Sequence, residues 1–323
     1  MHLVIGAGEF LGRHVSRALA EDVAVIELDS DADDETLNDA VTGVEVVVFC
    51  AQTVVPGHRV RYRKKPPHLL ERVVEASRRA RVRRIVHVST ADVYGSSHFT
   101  RIAEKSELKP TYAYEKVKLF EEEWLLAAAD DLEVVVVRPA HVFGAGEDWI
   151  LPRLMAAMVQ GRVRLPGGGR AKQTFVSAED VGRACLAASD RGRPGHRYLV
   201  GGFDSTWREL LTSAARAVGF AAEVSSIPYD VAFLRALGAE TVTPTGGAVW
   251  PGTYAIDVLG KPRYYDDSHS RRELTWSPSV GSFEQEMPAM TPWLSRLPEV
   301  AAALAEPAPL VAGPTSRPGR RPQ

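Results

Sequence analysis

The first twelve residues constrain this chain more than any other stretch. Leu3, Val4 and Ile5 form a short apolar run that ends in a glycine turn, and Phe10, Leu11, Val15, Ala18 and Leu19 follow at helical spacing. Strand, glycine turn and helix in that order let backbone N–H groups and a helix N-terminus hold the pyrophosphate of a dinucleotide. Gly6, Gly8, Glu9, Phe10, Leu11 and Gly12 are the candidate contacts. Glu9 sits badly there, because a carboxylate beside a pyrophosphate adds like-charge repulsion and a side chain limits how closely the backbone approaches. Gly8 can absorb the turn and let Glu9 point to solvent. The unit begins at residue 1, so no signal or transit peptide is expected ahead of it.

Val23 to Asp29 reads as a second strand with acids at its carboxyl end. A carboxylate about 20 residues beyond the glycine turn accepts hydrogen bonds from the adenine ribose and repels a 2′-phosphate. Glu27 and Asp29 share strand parity, with Glu27 preferred by its distance from Val23. The cofactor expected is therefore NAD, with NADP the alternative; the bland alternative is that these acids merely begin a surface loop. Val44 to Cys50 is a nearly continuous β-branched run, as suits a parallel strand buried on both faces, and Ala51 closes it beneath the cofactor. A basic run, His58 to His68, could steer an anionic substrate, although a solvated loop face is the commoner role of such runs. Leu69–Ala80 reads as a crossover helix and Arg84–Ser89 as a fourth strand. This alternation predicts an α/β fold: a Rossmann-type, doubly wound parallel sheet with ligands at the strands' carboxyl ends.

The fourth strand ends in Ser89-Thr90-Ala-Asp-Val93-Tyr94-Gly95, and Tyr114-Glu-Lys-Val-Lys118 opens a helical pattern running to about Ala129. Tyr114 and Lys118 are four apart and share a helix face. An ammonium near a phenol lowers the tyrosine pKa towards that of a working acid or base, and the Thr90 hydroxyl can stabilise charge developing on a substrate oxygen. The spacing alone is weak, since Tyr112 and Lys116 repeat it.

Five stretches taken in order are more specific. They are the glycine turn, Val88–Gly95, Tyr114–Lys118, Arg138-Pro-Ala-His-Val-Phe-Gly144 and Phe175-Val-Ser-Ala-Glu-Asp-Val181. Together they resemble an extended short-chain dehydrogenase/reductase of the NAD-dependent epimerase/dehydratase group. A later stretch, Tyr264 to Trp276, resembles the closing helix of that family, with Thr275 where glycine is usual, so the likeness spans roughly residues 1–297.

The resemblance implies that Thr90 stands for the catalytic serine, that Tyr114 is the acid/base, and that Lys118 binds the nicotinamide ribose and tunes Tyr114. It places Pro139 and Val142 against the nicotinamide and Val93, Tyr94, His141, Phe143 and Gln173 towards the substrate. It also implies a homodimer through the helices around Leu69–Ala80 and Tyr114–Ala129. Three departures stand out. Glu9 replaces the middle glycine; Lys65-Pro-Pro-His68 occupies the neighbourhood of an asparagine that serves proton relay; and sugar-nucleotide enzymes of the group carry asparagine at His141 and arginine near Gln173. The last two positions argue against a nucleotide sugar.

The expected organisation is a dinucleotide-binding domain over 1–145, a smaller, mainly substrate-binding region over 146–297 with segments returning to the sheet, and a flexible tail over 298–323. Helices are expected over Trp149–Gln160, Thr206–Val218 and Asp230–Gly238, and a loop over Thr241–Tyr254. Apolar residues at 45%, charged residues at 25% and a net charge of −2 fit an ordinary globular protein and give no argument for nucleic acid or membrane partners. Cys50 and Cys185 lie far apart and read as buried small hydrophobes in a reducing cytoplasm. No metal site is expected. The leading expectation is an NAD(P)-dependent oxidoreductase acting on a small alcohol or carbonyl compound. The alternatives are a nucleotide-sugar epimerase, dehydratase or 4-ketoreductase, and a binding or regulatory protein with weakened cofactor affinity.

Overall fold

Strand and helix alternate through the first half of the computed structural model, which describes residues 1–53, 67–96, 101–128, 131–243 and 249–305. The order is β1 (His2–Ile5), α1 (Phe10–Ala20), β2 (Val25–Leu28), α2 (Asp34–Val41), β3 (Val46–Phe49), α3 (His68–Arg79) and β4 (Arg84–Val88). β5 (Ile102–Ala103), α4 (Ala113–Ala127), β6 (Glu133–Pro139) and β7 (His141–Phe143) follow. Next come α5 (Leu151–Val159), β8 (Arg164–Pro166), β9 (Lys172–Ser177), α6 (Ala178–Arg191), β10 (Arg197–Val200), β11 (Phe203–Thr206) and α7 (Trp207–Ala217). The chain continues through β12 (Ser225–Ile227), α8 (Tyr229–Val242), α9 (Thr253–Gly260), β13 (Tyr265–Asp266), α10 (Ser268–Leu274), α11 (Phe283–Leu294) and α12 (Pro298–Ala305).

Six strands form one parallel sheet in the order β2-β1-β3-β4-β6-β10. After the β2 edge the chain returns to pair β3 beside β1, so the strand order reverses between β1 and β3. A crevice above their carboxyl ends is where a doubly wound sheet takes its ligand. The register levels Ile5 with both Leu28 and Phe49, which brings the glycine turn against Cys50 and Ala51.

The β-branched runs bury both faces. Val46 and Val48 join Val4, Val15 and the α6 residues Val181 and Ala184 on one side, while Val47 and Phe49 join Leu3, Ile5, Leu70 and Leu125 on the other. Alternate residues of one strand therefore feed two separate apolar layers, which is why the strand shows no polar alternation. A third cluster joins α5, α7, α9 and α11 around the small β11-β9-β7 sheet, while α6 and β10 return to the main sheet.

Two expectations about the second half need correction. Residues 298–305 are helix rather than flexible tail, because Val300 is fully buried in the cluster that holds α5. The expected loop over Thr241–Tyr254 is helical at both ends: α8 runs to Val242 and Tyr254 lies inside α9, while residues 244–248 lie outside the described residues. The tail beyond Ala305 and the basic run from His58 to Pro66 lie outside the described residues.

Candidate active site

The glycine turn is built against the end of β3. Gly6 has φ +85°, a conformation that favours glycine, and a Cβ there would stand 2.7 Å from the Ala51 Cα. A Cβ on Gly12 would collide with the Gly6 carbonyl, so helix and turn touch backbone to backbone. Asp29 projects its carboxylate over Gly8. β2 starts at Val25 and ends at Leu28, two residues later than the start taken from the sequence, so its carboxyl end presents Asp29 and not the preferred Glu27.

Glu9 does not simply point to solvent. It is the residue before α1, with extended backbone (φ −83°, ψ 165°), and its half-buried side chain accepts the Gln52 N–H at 2.7 Å. A carboxylate thus bridges the turn and the end of β3, across the mouth of the crevice.

That crevice continues into a cavity lined by Glu9, Phe10 and Leu11 on one side, by Thr90, Tyr114 and Lys118 on the floor, and by Pro139, Val142 and Phe143 beyond. Thr90 stands two residues beyond β4; its hydroxyl caps the short helical turn Ala91–Tyr94 by accepting the Asp92 N–H at 3.1 Å. Thr90 and Tyr114 line the same cavity, and the Thr90 hydroxyl acts to lower the Tyr114 pKa. Burial, then the carboxylates of Asp92 and Glu121, push the Tyr114 phenol well above its ordinary range, against the lowering effect of Thr90. The expected lowering by Lys118 is not what dominates, because Lys118 is drawn to Glu121 on its own helix, Nζ to Oε2 3.1 Å.

A buried ionic cluster backs Tyr114. Arg263, 1% exposed, reaches Asp92 at 3.0 Å and Glu115 at 3.2 Å, and Tyr254 donates its hydroxyl to Asp92 at 2.6 Å. Burial raises the Asp92 carboxyl, but the Arg263 guanidinium and the Tyr254 hydrogen bond together hold it below the usual range. Glu115 also accepts the N–H groups of Thr111 and Tyr112, which fixes where α4 starts and therefore where Tyr114 points.

His141 meets Gln173, ring Nε2 to Oε1 at 3.0 Å. The Gln173 amide nitrogen donates to the Val258 and Lys261 carbonyls, at 3.1 and 2.9 Å. Its oxygen is therefore the acceptor, His141 carries its proton on Nε2, and burial keeps the ring neutral. Gln173 itself is fully buried and does not line the cavity, so it is a support for His141 rather than a wall of the site. Val93 and Tyr94 are corrections of the same kind. Val93 is packed in the core, and the Tyr94 hydroxyl is held between Arg138 at 2.7 Å and the Glu104 carbonyl at 2.9 Å, because the turn after Thr90 directs both inward.

Trp149, Ile150, Trp207, Leu210 and Tyr254 complete the far end, with Trp149 stacked on Tyr254 at 5.1 Å between ring centres. Trp149 is set by Glu147, whose carboxylate accepts the N–H groups of Trp149, Ile150 and Leu151 and so starts α5. Asp92 stood inside a stretch already singled out; Arg263 and Glu147 carried no local signal. Both cysteines are free and buried, and burial raises both thiols, Cys185 to about 12. No group of metal-ligating side chains occurs among the described residues, and none of the helices described is long and apolar enough to cross a membrane.

The residues present fit a dinucleotide: a tight glycine turn, a helix N-terminus, and a carboxylate at the end of β2, with Glu9 the one discordant group. Comparison with known proteins agrees. A profile of the NAD-dependent epimerase/dehydratase family matches residues 2–201. The chain is 30% identical over 262 residues, 76% of each chain, to a 4-hydroxy-2-methyl-3-oxo-4-farnesyl-3,4-dihydroquinoline-1-oxide ketoreductase of Stigmatella aurantiaca. It is 25% identical to a 2-alkyl-3-oxoalkanoate reductase of Stenotrophomonas maltophilia, covering 86% of this chain and 94% of that one. Its fold matches the UDP-glucuronic acid 4-epimerase of Bacillus cereus in complex with NAD, with a TM-score of 0.70, 18% identity and coverage of 92% and 99%. The chain belongs to the NAD-dependent epimerase/dehydratase family and is an NAD-dependent enzyme.

Proposed function

We propose that this enzyme reduces a small carbonyl compound, or oxidises the matching alcohol, with Tyr114 moving the proton. The observation that carries the reading is that Thr90, just past the carboxyl end of β4, and Tyr114 line one cavity with Lys118, where burial favours the protonated phenol. A protonated phenol is the form needed to donate to an oxygen that gains charge as hydride arrives. Thr90 orients that phenol and offers a second hydroxyl to the same oxygen. Bound NAD supplies or accepts the hydride. Gly6, Gly8, Gly12 and Asp29 hold its adenine half, Lys118 its ribose, and Pro139 and Val142 its nicotinamide face. His141 and Phe143 then face the substrate.

The names of the two reductase relatives support a carbonyl substrate without a nucleotide. So does the far end of the cavity, where aromatic and aliphatic side chains dominate. Among the described lining residues, Lys118 is already paired with Glu121 and His141 is neutral, which leaves no free cation for a diphosphate. The likeness to the 4-epimerase fold supports the second reading, a nucleotide-sugar enzyme. A homodimer and a cytoplasmic setting complete the proposal.

Two measurements decide between the readings. NADH fluorescence titration comes first, and no binding at millimolar concentration refutes both. Thermal-shift screening against UDP, dTDP and GDP comes next: no shift, together with NADH oxidation by aryl or alkyl ketones, supports the carbonyl reading. Clear stabilisation by any of the three nucleotides promotes the other.

A further inference from the structure

Beneath the Tyr114–Lys118 face lies a second charged group that the reaction above does not use. Glu121 is fully buried on α4, one turn beyond Lys118, with Oε2 at 3.1 Å from the Lys118 ammonium. Its Oε1 accepts the hydroxyl of Thr53, the half-buried residue that follows the end of β3. From β4, His87 brings Nε2 to 3.6 Å of the same carboxylate, and neither ring nitrogen has a hydrogen-bond partner. Glu122, next in the chain, is turned the other way onto Arg138 and Arg197. The remaining ionisable neighbours are the Cys50 thiol at the end of β3, the Tyr114 phenol on α4 and, across the crevice, Glu9.

We infer that Glu121 is a positioning residue that carries the counter-charge for Lys118 and aims it at the cofactor side of the cavity, with Thr53 fixing the carboxylate and His87 backing it. The inference rests on Lys118 belonging to the reaction site. Lys118 is 4% exposed, a buried ammonium is costly without a counter-charge beside it, and no other described carboxylate lies within ion-pair distance of Lys118. Burial and the Lys118 charge both hold His87 neutral, so Lys118 has one counter-ion here and no competing cation.

The test reads Lys118 directly, without substrate or cofactor. Cyanate carbamylates only the neutral form of an amine, and mass spectrometry reports the modified lysine. In Glu121→Gln, which keeps the Thr53 hydrogen bond and removes the charge, carbamylation of Lys118 at pH 7.5 rises about tenfold for each pKa unit lost. Glu121→Asp restores slow labelling. Thr53→Val, which loosens the carboxylate, moves in the same direction by a smaller factor. With an accepted ketone, the alkaline limb of kcat/KM moves to lower pH in Glu121→Gln and returns in Glu121→Asp, which a purely structural role would not produce. Native labelling rates in folded Glu121→Gln overturn the inference; if that variant does not fold, native rates in Thr53→Val overturn it. Should no carbonyl substrate be turned over, the proposed reaction falls while the labelling still decides the role of Glu121.

Discussion

Replacing Glu9 should tighten cofactor binding. In the native chain its carboxylate accepts the Gln52 N–H at 2.7 Å, across the mouth of the crevice. A hydrogen bond to a charged group contributes about 1.5–3 kcal/mol net, and part of that is lost if the side chain must swing away to admit a pyrophosphate. If it stays, the repulsion adds instead: at about 6 Å and an effective dielectric constant between about 20 and 80, each pair of like charges costs roughly 0.7–3 kcal/mol. Either route places the penalty near 1–2 kcal/mol once partial exposure is allowed for, which is about a 5- to 30-fold change in Kd. Glu9→Gln removes the charge with little change in shape, and Glu9→Gly removes the side chain as well at a small cost to the α1 cap. Titration with NADH at about 20 mM salt should show both variants binding more tightly than the native protein. Raising the salt to about 300 mM should narrow the gap for Glu9→Gln by screening. Unchanged or weaker binding in both variants would refute the argument and make Glu9 a neutral or helpful contact.

Three further outcomes follow from the same geometry. Arg263→Leu leaves Asp92 and Glu115 buried without their counter-charge and should cost about 3–5 kcal/mol in urea unfolding; a loss below about 1 kcal/mol would mean the cluster is solvated. Thr275 ends α10 in the left-handed conformation, φ 48° and ψ 50°, so Thr275→Gly should gain about 1 kcal/mol in the same assay, and a loss would contradict the strain. Burial holds His2, His14, His87 and His141 below the ordinary histidine range. The unfolded chain takes up protons below about pH 6.5 that the folded chain refuses, so stability should fall from pH 7 towards pH 5.5 and level off between about pH 7 and pH 8. A melting temperature independent of pH across that window would show that these rings are not held neutral.

The fold was legible because periodicity and turn chemistry agreed. The run Val44–Cys50 reads as a two-sided strand and forms one over Val46–Phe49, and Thr206 with Glu209 reads as a capping box and is one, each side chain bonding the other's backbone. Errors of two residues at strand ends had consequences only where a site depended on them, as with Glu27 and Asp29. The candidate site was legible where its residues sit close in sequence: Thr90, Tyr114 and Lys118 share one cavity. What stayed hidden was the support. Arg263 comes from the turn after α9 to meet Asp92, 171 residues away in the chain, and Tyr254 arrives from inside α9. Such partners are set by packing of distant segments, which leaves no local pattern to read. Tyr94 and Val93 failed for the opposite reason: their neighbours in sequence line the cavity, but the helical turn after Thr90 rotates them into the core.

The central claim is that Tyr114 moves the proton in a hydride transfer. Its most direct measurement is Tyr114→Phe, assayed for NADH oxidation by a ketone that the native enzyme accepts, with NADH affinity measured in parallel. Loss of the proton donor should lower kcat by about 10²- to 10⁴-fold and leave the NADH Kd within about twofold. Turnover within about threefold of native, with the cofactor still bound, would contradict it.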